Sequence, residues 1–134
     1  MSESIEQLRV YKMSRGVEDV IYETVKTLPV EHFYGLGNDL RRSSAGVSHY
    51  LMESHRLFSY RLKLDALAAA RRECEAVQKH LAAAKDLGFD QKLIDDYAAI
   101  IKQTWGLTKW IRNKLIERQE KAEVSAKEAM AAAI

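Results

Sequence analysis

The fold is decided by residues 64–88, LDALAAARRECEAVQKHLAAAKDLG, in the middle of the chain. Apolar residues recur there at intervals of three and four, which is the period of one helix face. That face consists of Leu67, Ala70, Cys74, Val77, Leu81 and Ala84. Several of these side chains are small, so we expect neighbouring helices to pack closely against this segment. Gly88 is suited to the left-handed residue that follows a helix end.

Two helices are predicted before this segment. The first spans about residues 4–28, with Ser4 and Gln7 at the spacing of a capping box. Pro29 cannot continue it, because proline lacks the backbone N–H, so the second helix spans about residues 30–54. The predicted apolar stripe of the first helix is Ile5, Leu8, Tyr11, Val17, Val20, Ile21, Thr24, Val25 and Leu28.

The quoted segment belongs to a third predicted helix at about residues 59–87, for which Ser59 is the expected N-cap. A fourth helix is predicted at about residues 90–120, with Asp90 as its N-cap. Its inner stripe is Leu93, Tyr97, Ile100, Thr104, Leu107, Ile111 and Leu115. Short connections make successive helices antiparallel, so the chain is predicted to be all-α, an up-down-up-down four-helix bundle.

Composition limits the class of protein. The chain has 134 residues, with 21 lysines and arginines against 19 aspartates and glutamates, and one cysteine. A single cysteine excludes a disulfide framework and a multi-thiolate zinc site. No apolar run approaches the ~18 residues of a membrane span, and the first residues, MSESIEQLRV, lack a signal-peptide core. We therefore expect a reduced, cytoplasmic protein with one domain at residues 1–121 and an Ala-rich extension or tail at residues 122–134.

Motifs for metal or cofactor chemistry are absent from the sequence. None of the 12 glutamates has a histidine three positions later, as helical di-iron sites require. The His-Glu-x-x-His zinc motif and the GxxxxGK[ST] phosphate loop are absent as well. Cys74 lies on the small-residue face, where a buried, inert thiol is expected. We therefore expect neither a metal nor a cofactor, and no catalytic residue.

Positive charge is concentrated in one part of the chain. Residues 41–72 contain 7 basic and 2 acidic side chains, whereas residues 1–40 contain 4 basic and 7 acidic ones. The basic residues of the first group are Arg41, Arg42, Arg56, Arg61, Lys63, Arg71 and Arg72. They lie on the second helix, the turn that follows it and the third helix, which are predicted to be antiparallel neighbours, and this favours one patch that binds phosphate groups. A solvated basic face without a ligand is the alternative interpretation.

The fourth helix has a second apolar stripe besides its core stripe. It consists of Ile94, Ala98, Ile101 and Trp105. A helix of a four-helix bundle needs one buried face, and tryptophan is typical of protein–protein interfaces, so this stripe predicts contact with another subunit. The alternative is a wide core face with Trp105 lying along the helix pair.

One pair of residues favours an enzymatic alternative. Arg42 and His49 lie seven positions apart, on one face of the second helix. This spacing resembles the Arg-x(4–6)-His signature of HEPN ribonucleases, which are also small helical bundles and whose Arg and His act on the scissile phosphate. The simpler interpretation is an exposed arginine and a partly packed histidine.

A longer resemblance covers about residues 5–115. Residues 28–36 read LPVEHFYGL and residues 40–44 read LRRSS. These resemble the (F/L)P-x-E-x-x-YGL and QLRRAA elements of the bacterial four helix bundle proteins, first noticed in intervening sequences of 23S ribosomal RNA genes. That family is also similar to the accessory variability protein of diversity-generating retroelements. The chain departs from the family pattern at Asp39, where the family has Gln, and at Arg72 and Glu73, where the family has Gly-Ser.

The resemblance implies a four-helix fold that assembles into a ring-shaped homo-oligomer, with pentamers known among relatives, and no established enzymatic activity. The retroelement relatives bind nucleic acid and a reverse transcriptase through basic surfaces, and the matching positions here are Arg41 and Arg42. We therefore expect a non-enzymatic oligomeric protein that binds structured RNA or a nucleoprotein partner. The alternatives are the HEPN-like ribonuclease and a pure protein–protein scaffold.

Overall fold

The computed structural model describes residues 3–133, and all regular structure within these residues is helical. The four long helices are α1 (Glu3–Val25), α2 (Asn38–Arg56), α3 (Tyr60–Ala83) and α4 (Lys92–Ala133). A short helical turn, Val30–His32, and a five-residue π-helical segment, Phe33–Gly37, lead into α2. The prediction of an all-α four-helix protein is therefore confirmed.

Hydrogen bonds between helices show that successive helices run antiparallel. Gln7, near the start of α1, donates to the Ser54 carbonyl near the end of α2 at 3.0 Å. Gln78, late in α3, donates to the Ile94 carbonyl early in α4 at 3.1 Å. This alternation of direction is the predicted up-down-up-down arrangement.

The predicted face of α3 is buried at the centre of the packing. Leu67, Ala70, Cys74 and Val77 are completely inaccessible to solvent. Small side chains at these positions let α2 and α4 pack closely on either side of α3. α3 therefore supplies much of the core that holds the other helices.

Two predicted helix starts are confirmed, whereas the end of α3 comes earlier than expected. The Ser59 hydroxyl accepts a hydrogen bond from the Leu62 amide at 3.3 Å, and the Asp90 carboxylate accepts one from the Lys92 amide at 2.9 Å. α3 ends at Ala83, and the chain then turns through residues 84–88. Gly88 has a φ of 92°, the left-handed conformation predicted for it.

The buried face of α1 differs from the predicted stripe. Ile5 and Leu8 are exposed rather than packed in the core. The buried residues of α1 are Gln7, Val10, Ser14, Val17, Ile21 and Val25. The predicted capping box is wrong, because α1 begins at Glu3 and Ser4 therefore lies inside the helix; the Gln7 amide donates to α2. Burial of Ser14 in the core is compensated by a hydrogen bond, since its hydroxyl lies 2.8 Å from the Ser48 hydroxyl.

The π-helical segment brings the backbone of Gly37 close to the end of α1. A methyl group added at Gly37 would lie 3.0 Å from Val25 Cγ1 and 3.4 Å from Leu28 Cδ1. The predicted second helix is therefore interrupted near its start. Before this interruption, the amides of His32 and Phe33 donate to the Pro29 carbonyl at 2.9 and 3.0 Å.

α4 is much longer than the other helices. Its 42 residues correspond to ~63 Å, against ~36 Å for the 24 residues of α3. The Arg118 guanidinium lies 4.2 Å from the centre of the Tyr60 ring, which belongs to the first residue of α3. All side chains from Ile116 to Ala133 are exposed. The Ala-rich residues 122–133 are therefore a helical continuation of α4 that projects past the start of α3.

Gly37→Ala tests the close approach between the π-helical segment and α1. We expect it to lower the free energy of unfolding by about 1 kcal/mol, because overpacking costs ~1–3 kcal/mol and outweighs the ~1 kcal/mol by which alanine favours a helix over glycine. Urea denaturation followed by circular dichroism measures this change. Gly16→Ala is the control, since its new methyl group meets no atom within 4 Å, and it should gain stability. An equal gain in both variants would contradict the prediction.

Candidate functional site

The seven basic residues predicted to form one patch are dispersed in the structure. Helix geometry separates Arg42 from Arg56 by about 21 Å along α2. The exposed members are Arg42, Arg56, Arg61 and Arg72, the partly buried one is Arg41, and the buried ones are Lys63 and Arg71. Lys63 and Arg71 are therefore not part of a surface patch, whereas the binding role of the other five stays a prediction, and each group has to be considered by its own contacts.

Lys63 completes the end of α2. Only 8% of this residue is exposed, and its ammonium group donates to the Ser54 carbonyl at 2.8 Å and to the His55 carbonyl at 3.3 Å. Carbonyls in the last turn of a helix lack partners within the helix, so a buried cation is stabilised there. A lysine held in this way is not available to a phosphate group, and its assignment to a surface patch is corrected.

The exposed arginines of α2 have carboxylate partners one turn away. Arg42 Nη2 lies 2.8 Å from Asp39 Oδ1, and Arg56 Nη1 lies 3.9 Å from Glu53 Oε1. The neighbouring Arg41 guanidinium lies 4.7 Å from the centre of the Tyr22 ring. The positive charge of α2 is therefore largely compensated within the helix itself.

Arg71 is buried between α3 and α4, although the sequence placed it in the surface patch. Only 7% of it is exposed, and its Nη1 donates to Thr108 Oγ1 at 2.8 Å and to Thr104 Oγ1 at 3.5 Å. Its guanidinium lies 3.7 Å from the centre of the Trp105 ring, at the distance of a cation–π contact. Arg71 therefore holds the indole of Trp105 in place.

Two further arginines lie near Arg71. The Arg112 guanidinium is 5.9 Å from the centre of the Trp105 ring. The pKa of Arg71 is lowered, first by burial and then by the positive charges of Arg112 and Arg72. We refer to Arg71, Arg72, Trp105 and Arg112 as the Trp105 cluster. It combines three mutually repelling guanidinium groups with an indole that is 49% exposed.

Among the residues that the structure describes, the arginines of the Trp105 cluster form no ion pair with a carboxylate. The ion pairs found among residues 3–133 include none of them, nor do they include Arg61. Glu75 favours the charged form of Arg71, but less than Arg112 and Arg72 oppose it. Residues 97–116 of α4 contain four basic and no acidic side chains. This acid-free stretch is the sequence signal that could have identified Arg112 and was missed.

The second apolar stripe of α4 is only partly free for another subunit. Ile94 and Ile101 are partly buried and pack against the core of the same bundle. Ala98 and Trp105 remain exposed. The wide core face therefore accounts for the two isoleucines, and the subunit contact stays a prediction that depends on Ala98 and Trp105.

Arg42 and His49 lie on the exposed side of α2 but line different depressions. Arg42 lines a groove of about 580 Å³ that it shares with Tyr22 of α1. His49 packs edge-on against Tyr50 at 5.1 Å and lines a depression that includes Asp65 of α3. Since the Arg42 guanidinium is already paired with Asp39, the ribonuclease hypothesis gains no support from this arrangement and stays a prediction.

The remaining reactive group is the buried thiol of Cys74. Burial raises its pKa to about 12, so the thiol is protonated at neutral pH and a poor nucleophile. Within residues 3–133, no group of three His, Cys, Asp or Glu side chains is placed to hold a metal ion. No helix in the same range is long and apolar enough to cross a membrane.

The fold and the site define an all-α bundle with an arginine-rich, aromatic surface between α3 and α4. The family model described as 23S rRNA-intervening sequence protein matches residues 6–113, and the chain belongs to this family. The resemblance inferred from LPVEHFYGL and LRRSS is thereby confirmed. No curated protein and no solved structure matches the chain. The family match ends before the projecting part of α4.

Lys63→Met tests whether Lys63 is structural. We expect the free energy of unfolding to fall by about 1–3 kcal/mol, because the methionine keeps the apolar stem but removes the charged donor to the His55 carbonyl and leaves the Ser54 carbonyl with Gln7 as its remaining side-chain donor. Urea denaturation measures the loss. Lys79→Met, at an exposed position of α3, is the matched control and should change stability by less than ~0.5 kcal/mol. Equal stability of both variants would contradict the structural role.

Proposed function

We propose that this chain is a non-enzymatic, self-assembling protein that binds structured RNA through arginines of α3 and α4. The observation that carries the proposal is the difference in charge compensation between the helices. Arg42 and Arg56 are paired with carboxylates on α2, whereas Arg61, Arg72 and Arg112 take part in no ion pair among the described residues.

Uncompensated guanidinium groups favour a polyanion as the partner. Phosphate groups relieve the repulsion between neighbouring arginines, and the release of counterions from the RNA adds to the affinity. Arginine also matches the geometry of a phosphate group with two parallel N–H donors. The same surface includes Lys102 and Lys109, which are exposed on α4 one turn before and one turn after Trp105. These positions extend the basic surface along the helix.

A pure protein–protein scaffold is the less favoured interpretation. Such a protein would need an apolar face for its partner, but Ile94 and Ile101 of the second α4 stripe already pack against the core of their own bundle. What remains beside Ala98 is a surface of mostly cationic side chains around one indole. This composition is better suited to phosphate than to an apolar protein surface.

Self-assembly is part of the proposal and would act through multivalency. A ring-shaped homo-oligomer, with a pentamer as implied by the family resemblance, repeats the same arginine surface on one particle. Each further contact then forms at a high effective concentration, so weak individual contacts add up to useful affinity. Of the two exposed positions of the α4 stripe, Ala98 and Trp105, we expect subunits to meet through Ala98.

Arg61→Gln/Arg72→Gln tests the RNA-binding surface. Binding of the purified protein to a structured ribosomal RNA fragment is measured over a series of salt concentrations. We expect the double variant to bind more weakly and to lower the slope of log K against log salt by about 1.5, because each lost phosphate contact removes ~0.7–0.9. Lys26→Gln is the matched control, since Lys26 is paired with Glu23 on α1, and it should change neither quantity.

Two results of this experiment would contradict the proposal. Absence of binding at low salt would exclude RNA as the partner, and equal slopes for the double variant and wild type would place the interface elsewhere. The RNA should also be recovered intact. Cleavage by the wild type that is lost in His49→Ala would instead establish the ribonuclease alternative.

Ala98→Glu tests self-assembly. We expect the wild type to sediment as an oligomer and Ala98→Glu to sediment as a smaller species, because a carboxylate buried in a subunit contact is costly to desolvate. Ala45→Glu is the matched control, at an exposed alanine of α2 outside the stripe, and it should keep the wild-type mass. A monomeric wild type, or equal masses for both variants, would contradict assembly through this stripe.

A further inference from the structure

The indole of Trp105 contacts a buried arginine, and the residue is still half exposed. Arg71 lies 3.7 Å from the centre of the ring, and Arg71 is itself fixed by hydrogen bonds to Thr108 and Thr104. A rigid aromatic surface costs little conformational entropy when a ligand covers it. The protein therefore presents an aromatic side chain that contacts a fixed arginine, in a residue that is 49% exposed.

The surroundings of this indole are cationic on both helices. Arg112 approaches the ring at 5.9 Å, and Arg72 lies close enough to act on the pKa of Arg71. Both are exposed, whereas Arg71 is buried and saturated by its contacts to Trp105 and the threonines. Arg112 is therefore the group left to bind an anion beside the ring, and Arg72, which follows Arg71 in sequence, adds exposed positive charge on α3.

A ligand that matches these features needs a planar aromatic group and a negative charge a short distance away. An unpaired nucleotide has both: its base can stack on the indole, and its phosphate can bind the arginines. A base inside a continuous duplex is already stacked between its neighbours and cannot reach the indole. Duplex RNA offers only its phosphates to the same surface.

We propose that the Trp105 cluster is a nucleotide-binding site in which an unpaired base of the RNA stacks on Trp105 while Arg112 holds its phosphate and Arg72 adds positive charge. This inference rests on the proposed RNA-binding function and narrows it. The protein then distinguishes single-stranded, looped or bulged RNA from continuous duplex by the availability of an unstacked base. Stacking on Trp105 provides the selectivity for unpaired bases, whereas the phosphate contacts of the arginines do not depend on the RNA sequence.

The test uses Trp110→Phe protein, in which Trp105 is the only tryptophan. Two probes are titrated at one salt concentration: single-stranded oligouridylate of about 12 nucleotides and a blunt RNA duplex of the same length. We expect the single strand to bind at least about tenfold more tightly and to quench the Trp105 fluorescence, while the duplex leaves the fluorescence unchanged. Trp110→Phe should bind each probe with the same affinity as the wild-type protein does.

Two substitutions of Trp105 separate stacking from folding. Trp105→Ala should lose about tenfold or more in affinity for the single strand and little for the duplex. Trp105→Phe, which keeps an aromatic ring for the base and for the cation–π contact with Arg71, should recover much of the loss. Arg112→Gln should weaken binding of both probes and reduce the salt slope by roughly 0.7–0.9. Unchanged thermal unfolding of the variants shows that the bundle is intact.

Other outcomes would overturn the inference in distinguishable ways. Equal affinity for both probes without fluorescence quenching would leave RNA binding in place but remove the nucleotide site. Binding of neither probe would remove the proposed function as well. Suppose that neither probe changes the fluorescence of Trp105 and that Trp105→Ala sediments with a lower mass than the wild type. This result would show that a second copy of the chain covers the indole.

Discussion

The packing of α3 between α2 and α4 is the constraint on which the rest of the structure depends. Its buried face uses Ala70 and Cys74 between larger Leu67 and Val77, so two neighbouring helices can approach closely on either side. Because that face is small, polar side chains of the same helix also come near the interior. Lys63 and Arg71 are two such side chains, and each is buried with hydrogen-bond partners. One of them closes the end of α2, and the other fixes an indole of α4.

Helical periodicity and capping chemistry were sufficient to predict the four helices, their directions and two of the N-caps. They were not sufficient for α1, because two of its core positions are Gln7 and Ser14. A polar residue in the core cannot be distinguished from one on the surface by periodicity, since its burial depends on partners such as Ser54 and Ser48 on another helix. The same limit explains Lys63 and Arg71. The interruption before α2 depends on the close packing of Gly37 against the end of α1, and helical periodicity does not predict it either.

The candidate site shows that a count of charges is a poor guide to where a ligand binds. The region with the largest excess of arginine includes α2, where Arg42 and Arg56 are paired with carboxylates of the same helix and Arg41 contacts the Tyr22 ring. A group of exposed arginines without an ion pair among the described residues lies on α3 and α4, where Arg112 comes from a part of the chain with balanced total charge. Trp105 was singled out from the sequence for its aromatic character, but its cationic neighbours are brought together only by the fold. Compensation between neighbouring groups, rather than composition, decides which surface can attract a polyanion.

The projecting end of α4 means that the chain contains helix of two physical kinds. Up to about Arg118 the helix is stabilised by tertiary packing and melts with the bundle. From there to Ala133 every side chain is exposed, so the backbone is helical only through its alanine-rich composition. This part needs no nucleation of its own, because each residue simply extends an existing helix, and propagation is favourable near 0 °C and weakens with heat. Its helicity is therefore a gradual function of temperature, attached to a bundle whose unfolding is cooperative.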